Sequence, residues 1–473
     1  MILNRNAQYF FCGIGGSGML PLALILRGKG FTVDGSDRAL DQGRLAEKFD
    51  YLRAHGVTMF PQDGSGVNRQ SQVLVTSTAV EATIPDVHAA KALGIPVFRR
   101  AELLAEIFNQ TPVSIGIGGT SGKSTTTGMA GWILQQAGRH PTIMNGAVMK
   151  NFASGNHAYA SSVVGTGNAF VSEVDESDGS IALYTPTVAV VTNISLDHKP
   201  LAELRSLFGS FVQSARIAVL NLDNEETRAL VPLASEKLTY SLDNPDADII
   251  ASGIRALSDG SEFCLHDERK NTVVACRIQL PGRHNVSNAL AALASAVAAG
   301  IPLDAAARFI SGFSGIKRRF DVIGTANEIT VIDDFAHNPD KIAATFNTLH
   351  EFPGRIIVMF QPHGYGPLKL MGRELIESFA EAMHVEDILI MPDPAYYGGT
   401  TSREVGSSDI VRAIASRGRT AIYQEHRSDC LEIMNRLAIP GDRIVVMGAR
   451  DDTLSDFAKE VLDRLSRRGQ DPN

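Results

Sequence analysis

The stretch GTSGKSTTT, residues 119–127, sets a lysine and a hydroxyl directly after a glycine, where an apolar run gives way to a helical pattern. A helix beginning near Gly122 aims its first N–H groups at a phosphate. Lys123 would neutralise terminal phosphate charge, and the Ser124 hydroxyl is a ligand for Mg2+. The spacing departs from G-x-x-x-x-G-K-[ST], which calls for glycine where Ile117 stands. Two readings follow from these residues: a phosphate cradle of altered spacing, or a plain glycine turn between strand and helix. The stretch SEVDESDGS (172–180) bears on the choice. Strand alternation puts Glu173 and Asp175 on one face, with Glu176 and Asp178 close by. Magnesium takes a few carboxylates plus phosphate oxygens, the complement a GKS loop needs. The competing reading is a solvated acidic turn with helix-cap chemistry.

A second glycine loop, GIGGSG (13–18), follows an apolar run and opens a helix. Its pattern suits a pyrophosphate approaching a helix N-terminus, and Asp37 closes the next strand where a ribose-binding acid sits in NAD enzymes. Packing alone also explains such a turn. VTNISLDH places Asn193, Asp197 and His198 just past an apolar strand, at the edge where open α/β sheets bind ligands. DDFAHNPDKI repeats that arrangement late in the chain: Asn338 and Pro339 read as helix cap and first turn, which leaves Asp334 and His337 unexplained. Arg318 and Arg319 in GIKRRF are planar phosphate binders, or a solvated basic pair.

The elements that must carry these residues alternate between short apolar strands and helical patterns, the mark of parallel α/β architecture. At 473 residues the chain exceeds one hydrophobic core. Boundaries near NQTPVSIGI and GIKRRFDVIG divide it into 1–110, 111–322 and 323–473. A net charge of −8, without a lysine or arginine run, excludes a nucleic-acid footprint. Cys12, Cys264, Cys276 and Cys430 lie far apart and read as reduced core residues. No apolar run reaches bilayer length and no signal-peptide pattern stands at the start, so a cytoplasmic protein without a membrane partner is expected.

Taken in order, these stretches resemble the Mur ligase family over nearly the whole chain, from GIGGSGM to VVMGARDD. GTSGKSTTT is similar to that family's G-T-x-G-K-[ST]-T loop, which also lacks the upstream glycine. The resemblance implies three α/β domains: a Rossmann-like domain for a UDP-sugar, a central P-loop ATPase-type domain, and a C-terminal Rossmann-like domain that brings the amine. It implies ATP and Mg2+, with ATP held by Gly119, Thr120, Ser121, Gly122, Lys123, Ser124 and Thr125, and adenine by His284, Asn285 and Asn288 of GRHNVSNALAA. Arg319, Asp334 and His337 would also meet ATP, while Ser124, Glu173 and His198 would take the metal. Lys123, Glu173, His198 and Arg319 form the implied catalytic set. The sugar nucleotide falls to Gly15, Gly16, Ser17, Gly18, Asp37, Ser77, Thr78 and Asn193, and the amine to Phe335, His363 and Tyr365.

The implied activity is ATP-dependent joining of an amino acid, L-alanine before others, to the lactyl carboxylate of UDP-N-acetylmuramate through an acyl phosphate, in peptidoglycan precursor synthesis, by a monomer or homodimer. Within the family, FFCGIGGSGMLPLA, EVDESDGS, GIKRRFDVIG and FQPHGY look most like members that add L-alanine. Several positions depart from that pattern. Gly364 replaces the arginine of F-Q-P-H-R-Y, Phe335 the tyrosine of D-D-Y, and Pro200 breaks D-H-x-D. KLMG (369–372) is similar to the members that recycle tripeptide, and YYGGTTSR (396–403) fits neither pattern. Phe208 stands where some relatives carry a carbamylated lysine, so none is expected. L-alanine is the amine the resemblance favours, because most of the chain points that way; another small amino acid such as glycine or L-serine, and a tripeptide, are the alternatives. A more distant reading, an NAD-dependent oxidoreductase, would use GIGGSG and Asp37 but leave the GKS loop and EVDESD idle.

Overall fold

The computed structural model describes residues 3–78, 80–155, 157–195, 199–257, 259–395, 405–449, 451 and 453–468. His198 and the stretch YYGGTTSR therefore lie outside the described residues. Three sheets organise the described residues.

The first sheet holds β1 (Gln8–Cys12), β2 (Thr32–Ser36), β3 (Thr58–Phe60), β4 (Gln72–Thr76) and β5 (Val97–Arg99). All are parallel, in the order β3-β2-β1-β4-β5. The order reverses beside β1, so the glycine loop leaving it opens at a topological switch point.

The second sheet holds β6 (Val113–Gly118), β7 (Thr142–Met144), β8 (Ser162–Val163), β9 (Ala169–Glu173), β10 (Val188–Val191) and β11 (Ile217–Asn221). It continues with β12 (Glu236–Ser241), β13 (Ile249–Leu257), β14 (Gly260–Asp267) and β15 (Thr272–Ile278). The order is β15-β14-β13-β12-β11-β10-β6-β9-β7-β8. β6 and β10 are apolar and buried on both faces, as central parallel strands must be. The β12–β15 extension was not expected as strands; its outward residues alternate with buried ones, a weaker signal than a continuous apolar run. Cys264 faces outward on β14 and corrects the expectation of a core thiol, while the other three free cysteines are buried.

One apolar core runs between these two sheets. It joins Phe11, Leu22 and Phe108 to Phe170, Val174, Phe208 and Phe211, and the Phe108 ring lies 5.6 Å from that of Phe170. Residues 1–255, 261–279 and 285–314 accordingly form one compact unit. The expected division near residue 110 marks a change of sheet within that unit.

The second unit, residues 256–260, 280–284 and 315–473, carries the third sheet. Its strands are β16 (Asp321–Ala326), β17 (Ile329–Asp334), β18 (Ile356–Gln361), β19 (Ile388–Pro392), β20 (Thr420–Gln424) and β21 (Arg443–Gly448). The order is β16-β17-β21-β18-β19-β20, with β16 antiparallel to β17. Helices cover both faces and give the sheet two cores.

Candidate active site

At the first glycine loop, Gly13 and Ile14 donate to the Ser36 carbonyl at 2.9 and 3.0 Å, which ties the loop to the end of β2. Asp37 fastens it further: one carboxylate oxygen accepts the Gly15 N–H and the other the Ala39 N–H, each at 2.8 Å. Its described partners are thus backbone groups, and it acts as loop brace and helix cap together. A Cβ on Gly15 would stand 2.9 Å from that carboxylate, and one on Gly18 would stand 2.9 Å from Arg100. Gly15, Gly16, Ser17 and Gly18 share the C-terminal edge of the sheet with Ser77 and Thr78, which follow β4. Two cations there escaped the sequence reading: Lys48, 3.4 Å from the Gly15 carbonyl, and Arg100, 3.7 Å from Asp178.

β6 delivers the second loop, which leads into the helix Lys123–Gln136. Gly119 and Gly122 have φ of +138° and +84°, and a Cβ would stand 2.0 Å from Thr192 Oγ1 at the first and 2.2 Å from Asn288 Oδ1 at the second. Both positions therefore require glycine. The rest of the loop is pinned from β10 onward. Thr120 N–H donates to the Asn193 carbonyl at 3.0 Å, and the Asn193 amide both accepts from Ser121 N–H and donates to the Ser121 carbonyl, each at 3.0 Å. Asn193, expected beside the sugar nucleotide, is placed by the structure under the GKS loop. Asn288, expected at adenine, also supports that loop: its Oδ1 faces Gly122 and accepts from Thr126 at 3.5 Å, while its Nδ2 donates to Asn285 at 3.3 Å.

Lys123 turns its ammonium onto Glu176, 2.8 and 3.0 Å from the two carboxylate oxygens, and onto the Gly119 carbonyl at 2.6 Å. Burial raises the Glu176 pKa, and Lys123 works against that rise. Burial also pushes on Asp175, but two hydrogen bonds from Ser177 and the charges of Lys123 and Arg100 outweigh it and hold the carboxyl below its usual range. Glu173 accepts the Gly146 N–H at 2.6 Å, and the adjacent Asn145 donates to the Ser124 carbonyl at 2.9 Å. One run of contacts thus links Ser124 to Glu173. Glu176 was legible only as one more acid in its turn, and Asn145 gave no signal.

In the second unit, Arg319, Phe335, His337 and His363 come together at the C-terminal edge of β17 and β18. The Arg318 and Arg319 guanidinium carbons lie 5.1 and 4.7 Å from the Phe335 ring centroid. His337 meets Phe335 and His363 edge to face, at 5.4 and 5.6 Å. Asp334 is turned inward, accepting Thr345 Oγ1 at 2.5 Å and the Phe320 N–H at 3.2 Å. Those contacts hold the helix Pro339–His350 to its strand; burial raises the Asp334 pKa. Gly364, with φ +135°, caps the helix Tyr365–Ala382, so a left-handed backbone accompanies the missing arginine. His284 lies 3.3 Å from Thr348 Oγ1. Phe208 is fully buried in the shared core of the first unit.

Burial lowers the His337 pKa to about 3, and burial raises that of Asp333 to about 6. Below pH 6.5 the unfolded chain binds a proton that folded His337 refuses, so this residue's contribution falls as pH drops towards 3. Asp333 acts in the opposite sense between about 6 and 3.8, where the folded chain holds a proton the unfolded one releases. Replacing His337 by glutamine should therefore flatten the loss of thermal stability between pH 7 and 5, by at most about 2 kcal/mol at pH 5. Asp333→Asn should leave that loss unflattened. Melting curves of the three proteins at pH 7, 6 and 5 check this; equal pH slopes for His337→Gln and the parent would contradict it.

Comparison with known proteins agrees with this arrangement. The model "Mur ligase family, catalytic domain" matches residues 8–111, "Mur ligase middle domain" residues 117–296, and "Mur ligase, glutamate ligase domain" residues 318–450. The chain is 33% identical over 470 residues to the UDP-N-acetylmuramate--L-alanine ligase of Desulforapulum autotrophicum, covering 97% of this chain and 99% of that one. It is 35% identical to the protein of the same name from Agrobacterium fabrum, over 94% of each chain. In fold it is similar to the UDP-N-acetylmuramate-alanine ligase of Thermotoga maritima, with a TM-score of 0.77, 24% identity and coverage of 97% and 98%. A murein peptide ligase of Psychrobacter arcticus follows at a TM-score of 0.68, 24% identity, over 97% and 99% of the chains.

Proposed function

Because this chain belongs to the Mur ligase family, we propose that it joins L-alanine to the lactyl carboxylate of UDP-N-acetylmuramate at the expense of ATP, releasing ADP and phosphate. The observation that carries this reading is identity along almost the entire chain with relatives bearing that activity in their names. The γ-phosphoryl passes to a carboxylate oxygen. The amine then forms the C–N bond as phosphate leaves and the amine loses a proton. Such reactions rest on positioning and charge stabilisation more than on covalent participation by the protein.

The donor set suits a triphosphate. Gly119 and Gly122 keep the cradle clear of side chains, the first turn of the helix offers N–H groups, and Lys123 stands at its mouth. The Ser124 hydroxyl and Glu173 would hold magnesium, with His198 completing the set; the Ser124 backbone carbonyl and the Glu173 carboxylate are tied together through Asn145 and Gly146. Magnesium, when bound, offsets charge on the phosphate oxygens. Arg319 would bring a further cation to that charge. Asp37, through Gly15, sets the loop for the sugar nucleotide. The chain is read as a cytoplasmic monomer or homodimer of three functional domains, 1–110, 111–322 and 323–473.

The amine pocket draws on Phe335, His363 and Tyr365. An amino acid's carboxylate is best paired by an arginine fork, and Gly364 supplies none. Arg373 is 86% exposed and engaged with Glu377, which makes it a weak substitute. Selectivity for L-alanine over glycine and L-serine should therefore be loose, within about tenfold to a hundredfold, the discrimination one methylene provides. Phosphate release with UDP-N-acetylmuramate across a panel of amino acids and peptides tests the function and this selectivity together. Discrimination by several orders of magnitude would contradict the loose pocket, and exclusive use of a tripeptide would replace L-alanine as the substrate.

A further inference from the structure

The edge of the third sheet opposite to Arg319, Phe335, His337 and His363 carries a second group of ligand-bearing side chains. His350 ends the helix Pro339–His350, His384 follows the helix Tyr365–Ala382, and Asp387 immediately precedes β19. The Asp387 carboxylate is buried and already oriented: Oδ1 accepts the Ile356 N–H at 2.9 Å and Oδ2 the His384 N–H at 2.7 Å. Oδ2 also lies 2.8 Å from His350 Nε2. The two imidazoles stack, with centroids 3.5 Å apart and planes at 9°. One ligand atom from each of the three residues lies within 4.8 Å of the others.

We propose that His350, His384 and Asp387 form a binding site for a divalent cation of the Zn2+ class, with solvent completing a tetrahedron. Tetrahedral Zn2+ with bonds of about 2.0–2.2 Å needs ligand atoms about 3.4 Å apart. The His350–Asp387 pair must open by roughly half an ångström to reach that separation, and the third ligand closes from within the 4.8 Å span. His384 is exposed, so its ring turns without disturbing the core, whereas His350 is braced by Phe346 at 5.7 Å. Two imidazoles and one carboxylate favour Zn2+ over Mg2+, which prefers an oxygen shell. The backbone N–H groups on Asp387 are the outer partners that fix a ligating carboxylate. Since the site joins two helix ends to the start of β19, its effect is on stability and is separate from ligation.

Full-length protein stripped with EDTA and dialysed against micromolar Zn2+ in excess Mg2+ tests this by metal content, by melting temperature with and without Zn2+, and by the visible spectrum of a Co2+ form. The expected result is one zinc per chain, a Zn2+-dependent rise in melting temperature, and tetrahedral Co2+ bands. In His384→Ala and His350→Ala the bound zinc, the rise and the bands should all be lost, an affinity loss of at least about tenfold. His384→Ala removes an exposed ring and decides the matter alone should His350→Ala fail to fold. Zinc content and affinity equal to the parent's in His384→Ala, or no zinc bound by the parent, would overturn the site and leave a carboxylate–imidazole hydrogen bond only.

Discussion

Replacing Lys123 by alanine should lower ATP turnover by on the order of 10²–10³-fold, as loss of one preorganised donor to developing charge does elsewhere. UDP-sugar affinity should be unchanged. The ammonium is held at the loop mouth by Glu176 and the Gly119 carbonyl, whereas the GIGGSG loop leaves a different sheet. Glu176 is only 5% exposed, and removing its cation strands a buried charge, itself a destabilising change. The assay should therefore include Lys123→Ala combined with Glu176→Gln, which removes that charge, with melting curves for both. Phosphate release and calorimetric titration of the sugar nucleotide provide the two readouts. A parallel loss of sugar-nucleotide affinity in well-folded protein would mean that the two loops do not serve separate nucleotides.

The second large effect is expected at Gly122. Its Cβ would stand 2.2 Å from Asn288 Oδ1, and φ of +84° adds a conformational penalty of order 1–3 kcal/mol for a side-chain-bearing residue. Gly122→Ala should abolish measurable ATP turnover by tilting the first turn of the helix Lys123–Gln136, at a stability cost of a few kcal/mol. Adding Asn288→Gly removes the collision but not the backbone penalty, so the double variant should recover stability in part. A single variant with normal turnover would show that the loop does not have to take this shape.

Much of this was legible in the sequence because it resides in local pattern. The strand before each glycine loop, the helix from Lys123 and the Asn338 cap of the helix Pro339–His350 follow from apolar runs and turn chemistry. What escaped depends on partners far along the chain. The Glu176 contact to Lys123 crosses 53 positions and that of Asn288 to Thr126 crosses 162, and no periodicity reports such meetings. Asn193 shows the same limit: its position past β10 is local, but its hydrogen-bond partner Ser121 is 72 positions away. Strands β12–β15 went unread because they alternate weakly at the margin of their sheet.

The core shared by the first two sheets has a bearing on how this chain is born. Phe108 is completed by Phe170, and at an elongation of about 5–20 residues per second the ribosome delivers that partner roughly 3–12 s later. Until then, the apolar flank that Phe108 shares with Phe170 has no partner from the second sheet. Aggregation and chaperone capture are therefore expected to compete with folding in that interval, before any substrate bears on the chain.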